Sequence, residues 1–158
     1  MDLWDLTLVE ATSKLKRGEM KAAEYVEALL RRCEQHRELN AFIYQDFEMI
    51  REVARQADKI FDSGRVLGPL HGAPVILKDN IDTAMMPTTG GTPALKNHHP
   101  SRNAPIVQAL INAGAIIFGK ANLHELAQGI TNNNRAFGPA RNPYDRDKIP
   151  GGSSGGCA

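Results

Sequence analysis

Two short apolar runs with a helix between them constrain this chain most. The first, Ala73-Pro74-Val75-Ile76-Leu77-Lys78, follows the breaker pair Gly68-Pro69 and reads as a buried strand. The second, Ala115-Ile116-Ile117-Phe118-Gly119, reads the same way. Between them, Pro105 opens a helix that runs through Ala113 and is closed by Gly114. Strand, helix, strand is the unit of an α/β fold with a right-handed crossover. No internal repeat accompanies it.

The first third has a different texture. Thr7 and Glu10 have capping-box spacing, and Gly18 can end the helix they start. Tyr25, Val26, Leu29 and Leu30 recur at helical spacing in a second helix. Asp46 can cap a third, in which Ile50, Val53, Ala54, Ala57, Ile60 and Phe61 form one apolar stripe that Asp62-Ser63-Gly64 stops. Ala41-Phe42-Ile43-Tyr44 is a short strand candidate between the second and third. Core packing explains these stripes without a cofactor box. The organisation expected is a helical region over residues 1–66 and an α/β region over 67–158.

Composition narrows the function classes. With 158 residues, 42% hydrophobic and 23% charged, the chain can bury a core of its own. A net charge of +1, with basic and acidic residues interleaved, is no footprint for nucleic acid or an anionic membrane. Met1-Asp2-Leu3-Trp4-Asp5 lacks the basic and apolar character of a signal peptide, and no apolar run is long enough to span a bilayer. Cys33 and Cys157 form no C-x-x-C pair, which fits free thiols in a reducing compartment. A cytoplasmic protein is expected.

Two features carry chemistry. Lys78 ends an apolar strand run and is followed by Asp79, Asn80 and Asp82. Desolvation there disfavours the ammonium, which can make a lysine a usable base. By pattern alone, a surface lysine closing a strand is the more ordinary reading. The other feature is Gly151-Gly152-Ser153-Ser154-Gly155-Gly156. It could be a flexible linker. It is short, however, and Asn142-Pro143-Tyr144 and Ile149-Pro150 before it are not linker material. The alternative is a tight loop whose glycines let main-chain N–H groups approach a substrate and whose serines offer hydroxyls. His71, His98, His99 and His124 lack metal-site spacing. The G-x-S-x-G elbow is absent, so a serine hydrolase here would need a base other than histidine, and lysine is a known substitute.

Several segments in order resemble the amidase signature family. They are GPLHGAPVILKDNID, TTGGTPAL, APIVQALINAGAIIFGKANLHELAQG, NNNRAFGPARNPYD and PGGSSGGCA. The resemblance runs from about Gly68 to the last residue. It implies a large mixed sheet wrapped by helices, of which this chain would hold the first part behind its N-terminal helices. It also implies amide hydrolysis by a Ser–Ser–Lys triad with no metal and no organic cofactor. Lys78 would be the base. Ser153, after a cis peptide bond, would relay a proton between Lys78 and the nucleophile. Ser154, Gly151, Gly152 and Gly155 would support that loop. Such a relay lets the proton taken from the nucleophile reach the leaving nitrogen. The family's nucleophilic serine and oxyanion-hole backbone lie further downstream than Ala158. The expectation is therefore an N-terminal fragment, inactive alone, with an unfinished sheet edge.

Within the family, Leu123-His124-Glu125-Leu126 and Asn132-Asn133-Asn134 look closer to stand-alone aryl-amide hydrolases, of mandelamide or indoleacetamide type. The A subunit of tRNA-dependent amidotransferases, the alternative branch, usually has an acidic residue where His124 stands. A non-catalytic module completed by a partner chain is a third reading. The expected partner is a small amide substrate, with no direct nucleic-acid or membrane partner and room for a homodimer of the intact parent.

Overall fold

The computed structural model describes every residue except Met1 and Val66. The boundary expected between residues 66 and 67 thus falls at a residue outside the described ones. The chain divides into two compact units, Met1–Gln35 with Asp46–Val75 and Gln108–Phe118, and His36–Gln45 with Ile76–Val107 and Gly119–Ala158.

The first unit contains α1 (Leu8–Arg17), α2 (Ala22–Gln35) and α3 (Phe47–Asp62). Each boundary has a local cause. Thr7 accepts the Glu10 N–H while the Glu10 carboxylate takes the Thr7 N–H at 2.8 Å, a complete capping box. Such a cap is worth about 1 kcal/mol. Gly18 ends α1 with φ +70° in the left-handed region. Asp46 accepts from the Met49 N–H at the start of α3. The start of α2 is capped from a distance: Asp58 of α3 accepts the Ala22 and Ala23 N–H groups at 2.7 and 3.1 Å. A carboxylate there satisfies orphan donors and complements the helix dipole. The apolar faces meet in a core of Ala11, Leu15, Val26, Leu30, Ile50 and Ala54. Full burial of each larger aliphatic side chain contributes roughly 1.5–3 kcal/mol.

The expected strands are present as β1 (Phe42–Tyr44), β2 (Pro74–Lys78) and β3 (Ile116–Ala121), in the order β1-β3-β2. The expected helix between β2 and β3 is α4 (Pro105–Asn112). β1 is antiparallel to β3, with Phe42 opposite Ala121, Tyr44 opposite Lys120 and a bulge between them. β2 and β3 run in one direction. Ile116 N–H bonds Ala73 O near their starts, and Asp79 N–H bonds Ala121 O at their ends. The result is a mixed α/β architecture with a small mixed sheet.

Two strand expectations need correction. β2 is not a wholly buried strand: Ile76 is 41% exposed, whereas Leu77 is buried. Among the described residues β2 has a strand neighbour on one side only, and the central β3 has one on both and is buried throughout. β3 also does not stop at Gly119. It continues through Lys120 and Ala121, because the lysine finds buried polar partners that no local pattern reveals.

Candidate active site

Lys78 stands at the last position of β2, half-buried. Its Nζ lies 2.6 Å from the Oγ of Ser153, 75 residues further along the chain. Both residues belong to the second unit. The contact joins the two features that the sequence singled out separately.

The serine-glycine stretch is a fixed loop, not a linker. The Gly152–Ser153 peptide bond is cis, as the resemblance implies. Ser153 O accepts the His124 N–H at 3.0 Å, and Gly156 N–H donates to Asn122 O at 2.9 Å. The segment that follows β3 therefore holds the loop at two points. A third hold is the Gly155 N–H to Asn132 Oδ1, at 3.1 Å. A short 3-10 turn, Gly155–Cys157, closes the end.

The glycines serve two separate needs. Gly151 has φ +92°, a conformation that side chains rarely adopt. Gly155 and Gly156 are buried and needed for close approach. A Cβ on Gly155 would stand 2.6 Å from Asn132 Cγ, and one on Gly156 only 2.2 Å from Ala41 O. A Cβ on Gly152 would stand 2.9 Å from Ile130 C and 3.0 Å from Ile130 O. Ser154 is exposed, and its side chain makes no capping bond to the turn. Its carbonyl accepts the Cys157 N–H at 2.9 Å, so its backbone is what secures the loop.

Buried polar side chains that the sequence reading did not place in the site hold the irregular backbone of the same unit. Asn134 uses its whole amide: Nδ2 donates to Gly91 O and Leu123 O, and Oδ1 accepts from Ala136 and Phe137 N–H, all within 3.0 Å. Asn122 Nδ2 donates to Asn40 O and Gly138 O at 3.0 Å each. Asn132 is fully buried, and its Nδ2 has no hydrogen-bond partner among the described residues. The signal for these side chains was the asparagine-rich run itself. Buried asparagines are uncommon, and they occur where irregular backbone must be satisfied. Lys120 is also fully buried, and burial pushes its ammonium below the ordinary lysine range, opposed by nearby Asp79. A lysine directly after an apolar strand run was the only hint of it.

A half-buried lysine against a serine hydroxyl at 2.6 Å can accept and return a proton through that hydroxyl. Among the described residues there is no group of three histidine, cysteine or acidic side chains placed to hold a metal ion. No helix among them is long and apolar enough to cross a membrane.

Residues 24–158 match the family model described as Amidase. The chain is 42% identical to the A subunit of the glutamyl-tRNA(Gln) amidotransferase of Lachnospira eligens, over 100% of this chain and 33% of that protein. It is 42% identical to the indoleacetamide hydrolase of Rhizobium radiobacter, over 96% of this chain and 32% of that one. Its fold superimposes on the peptide amidase of Stenotrophomonas maltophilia with a TM-score of 0.87 and 34% identity, covering 94% of this chain and 32% of the other. The chain belongs to the amidase family. It spans about a third of the length of the curated relatives it matches.

Proposed function

We propose that this chain contributes two members of a Ser–Ser–Lys triad to an amide hydrolase that releases ammonia from a small aryl carboxamide. The observation that carries the reading is the 2.6 Å contact between Lys78 Nζ and Ser153 Oγ. Lys78 acts as the base. Ser153 passes the proton from the nucleophile to Lys78 and later back toward the leaving nitrogen, so one lysine serves both steps. The nucleophilic serine and the donors that hold the oxyanion come from a glycine-rich segment outside these 158 residues. The share of its relatives that the chain spans supports this division. The 158 residues alone are then inactive as a hydrolase. The chemistry needs no metal or organic cofactor, and the site of action is the cytoplasm.

The aryl-amide reading rests on the indoleacetamide hydrolase relative and on the resemblance carried by Leu123-His124-Glu125-Leu126 and Asn132-Asn133-Asn134. The amidotransferase relative matches at equal identity and supports a second reading, ammonia release from glutamine within a larger assembly. Ammonia release by the protein that carries the nucleophile, from aryl acetamides and from glutamine, separates the two. In that protein Lys78→Ala is expected to lower turnover of the preferred amide by about 10²-fold or more. Unchanged turnover would remove Lys78 from the mechanism. In the 158-residue chain, a fluorophosphonate should leave Ser153 and Ser154 unlabelled, and labelling of either would contradict the relay role.

A further inference from the structure

We propose that the buried pair Asp79–Lys120 is a positioning device for Lys78, holding its side chain against Ser153. The proposal rests on the reading of Lys78 as the base.

Asp79 directly follows Lys78, and it is pinned at every polar group but one. Its N–H donates to Ala121 O at 3.1 Å, and its carbonyl accepts the Gly90 N–H at 2.9 Å. Its Oδ2 accepts the Thr89 N–H at 3.0 Å and the Thr89 hydroxyl as well. Its Oδ1 is buried, has no hydrogen-bond partner among the described residues, and lies 3.2 Å from Lys120 Nζ. Both side chains are 0% exposed.

Lys120 spends its three protons elsewhere. It donates to Ile81 O at 2.9 Å, Pro87 O at 3.1 Å and Thr88 Oγ1 at 2.6 Å. The central strand therefore carries a cation that gathers the turn running from residue 81 to residue 88. Asp79 balances its charge from the side next to Lys78. The turn begins at Lys78 itself, whose carbonyl accepts the Ile81 N–H at 3.0 Å.

Stability does not explain the pair. Removing two charges from water costs several kcal/mol per ion, and apolar replacements of buried pairs are often neutral or stabilising. What the pair supplies is a single backbone path on the far side of Lys78. A shift of the Asp79 backbone carries the lysine with it, and a displacement of about 1 Å can cost on the order of 10²-fold in rate. Among the described residues Asp79 and Lys120 pair with each other and bond to Thr89 and Thr88 respectively, not to Ser153, so they act through Lys78.

The test reads Lys78 directly, by side-chain Cε and Nζ resonances in the 158-residue chain. Ser153→Ala is made in the wild-type, Lys120→Met, Thr89→Val and Thr89→Ser backgrounds. Thr89→Val keeps the shape and removes the hydroxyl that Asp79 accepts; Thr89→Ser restores it. The expected result is coupling. The change at Lys78 caused by Ser153→Ala falls by about half or more in Lys120→Met and Thr89→Val, and returns in Thr89→Ser. A full-sized change in Lys120→Met and Thr89→Val chains with native amide dispersion overturns the proposal. If Lys120→Met does not fold, the Thr89 pair decides alone. Turnover of Lys78→Ala in the protein that carries the nucleophile tests the base assignment separately. A normal turnover there sinks that assignment while the coupling measured here stands on its own.

Discussion

Lys78 Nζ meets Ser153 Oγ at 2.6 Å, while the adjacent Ser154 is exposed and does not cap the turn behind it. The two serines therefore have unequal prospects. In the protein that carries the nucleophile, Ser153→Ala is expected to reduce kcat/KM by about 10²-fold or more, the range of a lost proton-transfer partner. Ser154→Ala is expected to stay within about 1 kcal/mol of the parent, since an exposed hydroxyl away from such features contributes little. Equal losses at the two positions would mean that the relay is not confined to Ser153.

Gly156 is required for a different reason from Gly64. A Cβ at Gly156 would overlap Ala41 O at 2.2 Å and Asn122 N at 2.6 Å, so backbone must move. Gly156→Ala is expected to cost about 1–3 kcal/mol, read by thermal unfolding, and also to displace the loop from Lys78. Gly64 has φ +70° with no atom within 4 Å of an added Cβ. Gly64→Ala should cost about 1–2 kcal/mol for its left-handed backbone and leave the Lys78 resonances unchanged. If both variants left those resonances in place, the fit of Gly156 against Ala41 would not be what seats the loop.

His71 links stability to pH. The residue is 5% exposed, and burial pushes its imidazole below the ordinary histidine range; a bond to the Ala57 main chain and the Asp58 carboxylate oppose this, and Lys16 adds to it. The unfolded chain then binds a proton that the folded chain resists. Stability is full above the ordinary histidine value and is lost as pH falls through the lower folded value. The melting temperature should therefore fall between about pH 7 and pH 5, and His71→Gln should flatten that dependence. An unaltered slope in His71→Gln would assign the dependence to other groups.

The sequence by itself determined what can be decided within a few residues. Capping by Thr7 and Asp46, the left-handed stop at Gly18 and the apolar spacing of the second and third helices depend on the next three or four positions, and the helices form where those positions say. The order of strand, helix and strand was legible for the same reason. So was the chemistry on offer, a lysine at a strand end and a serine pair among glycines. Only the tertiary structure decided that Ser153, not Ser154, faces Lys78, because that contact joins residues 75 positions apart. It alone decided that β3 passes through Lys120. A charged side chain reads locally as a surface residue, and it is buried here because Asp79, Thr88 and two carbonyls converge on it from a distant turn. The exposure of Ile76 was decided in the same way, by the place of β2 at the side of the sheet and not by any property of its apolar run.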